Sequence, residues 1–424
     1  MSSARPANTR WSGPWLKRIK ARSNLIGGDV DDGYGKVADA FRSSLNSGQE
    51  VGAAVAVYRD GRKVVDLWGG FRNGTSQAPW QRDTLVNVFS TTKGVASLAV
   101  AVAASRGLID YDAKVADYRP EFAQAGKGAV TVRQLLGHQA GLVAIKPPLT
   151  LADIADPEKL SAKIAAQAPA WPPGTRQGYH GITLGWYASE LIRHVDPQGR
   201  TLGRYFAEEI AGPLDLDFYI GLPASVDRNR VAQLPAFSRS ELVLHLNTMP
   251  PLFAAAMFNP FSLAARSMVV AKGVKGGTHA FNRDELRILE MPAVNGTGTA
   301  RSIAKLYGSA ATGDSQLGLS SGVRDALEGP AVPPTGGLRD KVMQVDVSYS
   351  LGFGKPIDVY VFGSSDKAFG WPEAGGSFGF ADPDTGVGFG YVMNRMGFHA
   401  HSDPRELALR QALFRDVLGA RTQI

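Results

Sequence analysis

Residues Gly94-Val95-Ala96-Ser97-Leu98-Ala99-Val100-Ala101-Val102-Ala103-Ala104 contain no charged side chain. A helix this apolar on nearly every side has no face to give to water, so the fold must wrap it. That requires structure on all its flanks, and 424 residues are enough chain for a large core and two lobes. The mostly apolar run Leu85 to Phe89 leads in as an extended segment, and Ser90 opens the helix. Ser90 and Lys93, three residues apart, then share one face of the first turn.

That placement puts a hydroxyl and an amine at the start of a buried helix. Burial disfavours the charged form of a lysine, which points to Lys93 as a proton acceptor. A serine beside such a lysine is an activated nucleophile. The Ser90 backbone N–H lies at the positive end of the helix dipole, where an oxyanion is stabilised. A plain helix cap is the competing reading of Ser90. Spacing alone does not decide, because Ser-x-x-Lys recurs at Ser302-Ile303-Ala304-Lys305 and Ser364-Ser365-Asp366-Lys367. Only Ser90 opens a long apolar helix.

Composition removes several classes of function. There is no cysteine, hence no disulfide, thiol catalysis or zinc–thiolate site. The seven histidines show no paired metal-binding spacing, so neither a metal nor a cofactor is expected. No apolar run reaches the roughly 18 residues of a membrane-spanning helix. The N-terminus lacks the apolar core of a signal peptide, which makes the cytoplasm the expected location. The net charge of +7 comes almost entirely from residues 1–28. Arg5, Arg10, Lys17, Arg18, Lys20 and Arg22 lie there without an acid, leaving 40 basic against 39 acidic residues elsewhere. A near-neutral body argues against a nucleic-acid partner. Trp11, Trp15 and Ile19 form an amphipathic stripe within residues 11–22 of this arm. It reads first as a helix packed on the body or on a partner subunit, and second as a contact with an anionic membrane surface.

Along the chain, residues 31–48 read as a helix burying Val37, Ala38, Phe41 and Leu45. Val51 to Tyr58 and Lys63 to Trp68 read as strands joined across Asp60-Gly61. From about 105 to 290 the pattern is mainly helix and loop. Thr131 caps a short helix, and His138 follows it as either a structural or a catalytic histidine. Trp171-Pro172-Pro173-Gly174-Thr175 is a rigid turn before Tyr179-His180-Gly181 and a helix from Ile182 to Ile192. Residues 241–271, rich in Leu, Met, Phe and Ala, form either a wall over a pocket or ordinary core. Strands return at Val347–Phe353, Val359–Phe362, Ser377–Phe380 and Val387–Met393, before a final helix from Pro404 to Leu418. Strands at both ends with helices between predict one sheet built from both termini and a helical insert.

Several segments now stand in a recognisable order. They are Ser90-Thr91-Thr92-Lys93; Leu108-Ile109-Asp110-Tyr111-Asp112 with Val115, Tyr118 and Pro120; Thr131-x-Arg133-x-Leu135-Leu136; His138-x-x-Gly141-Leu142; Pro173-Gly174-Thr175 ahead of Tyr179; Asn295 to Arg301; and Gly375 to Pro383. Together they resemble the serine β-lactamase and penicillin-binding family, most of all its family VIII carboxylesterases and class C β-lactamase-like proteins. The resemblance runs from about residue 35 to 418. It implies an α+β, β-lactamase/transpeptidase-like fold: a central antiparallel sheet flanked by helices, plus a mainly helical lobe. The expected parts are the arm 1–28, a sheet domain of 29–89 and 295–424, and a helical domain 90–294 with the Ser90 helix at their interface.

By position, the resemblance makes Ser90 the acylated nucleophile, Lys93 its partner in proton transfer and Tyr179 a second base. The backbone N–H groups of Ser90 and Ala374 become the oxyanion hole. Trp371, Glu373 and Gly181 become substrate-binding positions. Two departures bear on the substrate. The tyrosine motif ends in Gly181 where a polar residue is usual, and the third motif reads Trp371-Pro372-Glu373 where relatives place a cation. The implied activity is a serine carboxylesterase acting on short-chain acyl esters, with a small-molecule ester as partner and an oligomer compatible with the sequence. A β-lactamase or D-amino-acid peptidase-type hydrolase, and a non-catalytic binding module of this fold, are the alternatives. A further rival is Gly318-Leu319-Ser320-Ser321-Gly322, which matches a nucleophile elbow followed by Asp384 and His399. The polar residues before it read instead as a loop entering a helix.

Overall fold

The structure, a computed structural model, describes residues 25–236, 245, 248–358, 360–372, 375–399 and 402–420. The stripe of Trp11, Trp15 and Ile19 lies outside the described residues, as do Glu373 and Ala374.

The two ends of the chain build one nine-stranded antiparallel sheet. Its order is Ile26–Val30, Arg62–Asn73, Gly52–Arg59, Val387–Met393, Phe378–Asp382, Phe369–Pro372, Phe353–Gly354 and Tyr349–Ser350, with Ala78–Pro79 paired to Arg62–Asn73. The predicted hairpin turns at Asp60 and Gly61, whose φ values of 50° and 76° suit a two-residue turn of the primed type. The seam between the termini is Gly52–Arg59 against Val387–Met393, in register from Ala53↔Met393 to Arg59↔Val387.

Side chains alternate along that seam, as the pleat requires. Ala53, Val55 and Val57 face a core with Val37, Ala38, Phe41 and Leu45 of the helix Gly35–Ser47, and with Leu409 and Leu413 near the C-terminus. Ala54, Ala56 and Tyr58 face the opposite core, which contains the Ser90 helix. That helix runs Thr91–Ser105, and every residue from Thr91 to Ala103 is buried. It is covered by the helices Thr183–Val195 and Leu202–Phe206 and by the strand Phe369–Pro372. Among the described residues, no helix is long and apolar enough to cross a membrane.

The helix Ala300–Thr312 lies directly on the sheet because glycines clear its path. A Cβ at Gly388 would stand 2.1 Å from Gly308 N and 2.3 Å from Ala304 O. At Gly390 it would meet Ala300 O at 2.4 Å, and at Gly379 the Ile303 side chain at 2.5 Å.

Three expectations change. Residues 26–28, assigned to the arm, belong to an edge strand, Ile26–Val30, that pairs with Arg62–Asn73. The single strand expected over Val347–Phe353 is a tight hairpin, because Leu351 and Gly352 both take positive φ. A strand is expected at Val359–Phe362, but the described residues 360–362 join no sheet; Phe369–Pro372, not expected as a strand, pairs with Phe378–Asp382. Tyr360 and Phe362 instead pack their rings on Phe378 from a loop. Their bulk marks burial but not a ladder.

Gly388→Ala should cost roughly 1–3 kcal/mol by forcing the helix off the sheet. Urea unfolding measures this; an unchanged midpoint would contradict the close helix–sheet contact.

Candidate active site

Phe89, immediately before the serine, has φ 44°, a left-handed conformation unusual for a bulky residue. It turns the chain sharply from the strand Val86–Asn87 into the helix. The Ser90 side chain makes no capping hydrogen bond, so the cap reading fails. Its Oγ accepts from Lys93 Nζ at 2.7 Å and lies 2.6 Å from the Tyr179 hydroxyl. Lys93 is 1% exposed, and Nζ also donates to Ala293 O at 2.9 Å. The three residues expected to act together are thus brought into one triangle.

Each corner is held from outside. Ser377 Oγ lies 3.2 Å from Thr91 Oγ1 and donates to Val88 O, tying the helix start to the sheet. Gly296 N donates to Thr92 Oγ1 at 2.9 Å. Gly185 has no Cβ, which would stand 2.4 Å from Ala293 N, so the Ala293 segment can approach. Buried Asn295 bonds Met291 N and the Leu286 carbonyl, fixing the loop that presents Ala293 O.

The Tyr179 loop is pinned through its backbone. Gly178 N donates to His138 O at 3.0 Å, and His180 N to His138 Nδ1 at 2.9 Å. The Tyr179 backbone N–H faces the Asp340 carboxylate and favours its charged form. Above the loop, three rings stack in a row. Tyr179 and Trp371 are 5.8 Å apart at 16°, and Trp371 and Tyr349 are 5.9 Å apart at 9°. Lys93 Nζ sits 4.8 Å from the Tyr179 ring centre and 5.6 Å from that of Trp371.

His138 and His180 form a buried pair. His180 Nε2 accepts from Leu142 N at 2.9 Å, so its proton is on Nδ1 and points at His138 Nδ1, 3.0 Å away. His138 Nδ1 thus accepts twice, which places its own proton on Nε2. Burial pushes His138 well below its usual value, and His180 and the Lys93 charge push the same way. Burial also drives His180 down to about 3, aided by Lys93 and opposed by a backbone hydrogen bond. Asp340 is raised by burial, although Val342 N, Met343 N and the Tyr349 hydroxyl all donate to it.

The remaining candidates fall elsewhere. Ser302 accepts from Asp217 N while Lys305 donates to Leu214 O, so that Ser-x-x-Lys forms no pair. Ser364 and Lys367 bond to Asp382 and Asp384 respectively. Ser320 caps the helix Ser321–Glu328 and is not on an elbow. Gly181 is buried, and a Cβ there would stand 2.8 Å from Ser267 O and 3.2 Å from the Met268 sulfur. Glycine stands in this position because the chain at 267–268 presses against it. Trp371 is 4% exposed between two rings. Phe253 and Ala264, from the segment expected to be wall or core, form an apolar cluster with Val143, Ala144 and Val342, and Tyr179 packs against it. Sequence reasoning missed Ala293, Asp340 and Tyr349, and it gave His180 no role. Only His180, next to Tyr179, carried a local signal.

Fold and site together define a serine hydrolase. The chain belongs to the beta-lactamase family, whose sequence pattern matches residues 37–414. The "Esterase/beta-lactamase LipL" of Mycobacterium tuberculosis is 35% identical over 375 residues, covering 87% of this chain and 83% of that protein. The crystal structure of a family VIII carboxylesterase matches with TM-score 0.77 and 38% identity over 92% of this chain and 99% of its own. A penicillin-binding protein homolog from Caulobacter crescentus matches with TM-score 0.77 and 38% identity over 91% and 98%.

His138 and His180 are neutral when folded and protonate below their ordinary value of about 6.5 when unfolded. Their stabilising contribution is therefore complete above pH about 6.5 and declines as pH falls toward the folded value. Histidine ring ¹⁵N spectra should show two of the seven histidines keeping neutral signatures from pH 8 to 5. Titration of all seven near 6–7 would contradict the buried pair.

Proposed function

We propose that this chain is a carboxylesterase that hydrolyses short-chain acyl esters through an acyl-enzyme on Ser90. The observation that carries this reading is the Ser90 Oγ held 2.7 Å from Lys93 Nζ and 2.6 Å from the Tyr179 hydroxyl. A serine hydroxyl is a weak nucleophile until a neighbour takes its proton, and two such neighbours are in reach. Ser90 Oγ attacks the ester carbonyl as its proton passes to the Lys93–Tyr179 pair. The tetrahedral adduct collapses, the C–O bond to the alcohol breaks, and the pair returns the proton to the leaving oxygen. Water then attacks the acyl-enzyme by the same route and releases the acid. The backbone N–H groups of Ser90 and, by the family resemblance, of Ala374 would stabilise the oxyanion.

The surroundings favour a neutral substrate. A β-lactam carries a carboxylate next to the scissile amide, and a partly buried carboxylate needs a cation. The third motif offers Trp371 and Glu373 instead. Arg405 does reach this turn, donating to Gly375 O at 2.8 Å, but Asp403 and Glu50 already pair it. The cluster against which Tyr179 packs is apolar. An ester brings no charge to such a site. The family VIII carboxylesterase that resembles this chain at 38% identity supports the same reading.

Ser90→Ala should lower ester turnover on the order of 10⁴-fold or more, with Lys93→Ala and Tyr179→Phe nearly as severe and not additive with it. Ser320→Ala should leave turnover unchanged. Retained activity in the Ser90 variant would sink the assignment. For substrate class, kcat/KM for p-nitrophenyl butyrate should exceed that for nitrocefin by more than about tenfold, roughly 1.4 kcal/mol. Near-equal values would show that the missing cation does not set the preference.

A further inference from the structure

We propose that His138 and Asp340 are positioning residues that hold Tyr179 against Ser90, gripping the Gly178–His180 backbone from two sides. The inference rests on the catalytic reading of Tyr179 above. Three consecutive N–H groups, those of Gly178, Tyr179 and His180, face acceptors on these two residues. His138 supplies its carbonyl and its Nδ1; Asp340 supplies its carboxylate.

The two sides of the grip are joined. The His138 ring lies 4.3 Å from the Tyr349 ring, and the Tyr349 hydroxyl donates to Asp340 Oδ2 at 2.9 Å. Tyr349 also stacks on Trp371, which stacks on Tyr179. Backbone and ring of Tyr179 are therefore fixed by one connected set of groups. Asp340 is tied to the same loop by its own backbone, since Lys341 N donates to Gln177 O at 3.0 Å and Gln177 bridges Asp340.

The set costs stability on its own terms. Asp340 is a fully buried carboxylate, and His138 and His180 are fully buried imidazoles. His138 has φ 58°, and its Nε2 has no hydrogen-bond partner among the described residues. Buried polar groups of this kind are expensive, and an apolar core would hold two loops together at lower cost. What the polar set provides is direction: hydrogen bonds fix a hydroxyl to within tenths of an ångström where packing alone does not. A shift of about 1 Å in a reacting group is enough to lose on the order of 100-fold in rate.

Asparagine suits position 138. It tolerates positive φ, and its side-chain oxygen can replace Nδ1 as acceptor. His138→Asn should therefore keep kcat for p-nitrophenyl butyrate within about threefold, whereas His138→Leu should lose about 30-fold or more in kcat with KM little changed. Asp340→Asn, which preserves shape, should lose about tenfold in kcat. The deciding measurement repeats His138→Leu and Asp340→Asn in a Tyr179→Phe background. Groups that act through Tyr179 should there change the residual rate by less than about threefold. Equal losses in both backgrounds would overturn the proposal, and so would wild-type kcat in His138→Leu. If His138→Leu does not fold, Asp340→Asn decides; failure of both to fold also overturns it, since the residues would then hold the domain rather than the tyrosine. Wild-type turnover in Tyr179→Phe alone would remove the catalytic reading beneath this one, and this one with it.

Discussion

A lysine amine with 1% exposure is the constraint on which the rest of the molecule depends. An amine removed from water must find donors' partners inside the protein or lose the fold. Lys93 finds Ser90 Oγ, Ala293 O and the faces of two aromatic rings. Each of these comes from a different part of the chain, and each needs a close approach. Gly94 leaves room for the Tyr307 hydroxyl, which a Cβ would meet at 1.8 Å. Gly185 leaves room for Ala293, and Gly296 for Thr92. Glycines thus clear the space around the lysine on several sides, and the apolar helix behind it supplies the low dielectric.

The same arrangement explains why the serine is useful. Its hydroxyl is not spent on a cap, although it stands where caps usually stand. The left-handed Phe89 places it there, and Ser377, reaching from the sheet, keeps the helix start in place. Strain and polar groups that a purely structural helix start would not need are concentrated within one turn of Ser90. That is the pattern expected where stability has been spent on a site.

Much of this was legible in the sequence. The burial of the helix followed from its composition, the hairpin from Asp60-Gly61, and the site's first two residues from helical spacing. The segments that resemble the family located Tyr179. What stayed hidden was non-local. Asp340 sits in a polar loop with nothing in its neighbours to mark it, and its significance comes from Tyr349 and from a segment some 160 residues earlier. Ala293 acts through a carbonyl, which side-chain patterns do not report. Gly181 read as a lost substrate contact, and the close approach of Ser267 and Met268 to it left no local signal. Phe362 read as part of a strand; it is buried, yet its backbone joins no ladder.

In the proposed mechanism Ser90, and not another hydroxyl, carries the acyl group. The most direct measurement labels the protein with a fluorophosphonate, digests it and locates the adduct by peptide mass. A single modified peptide should bear the adduct on Ser90, with labelling abolished in Lys93→Ala. An adduct on Ser320, or labelling of Ser90 that does not depend on Lys93, would contradict it.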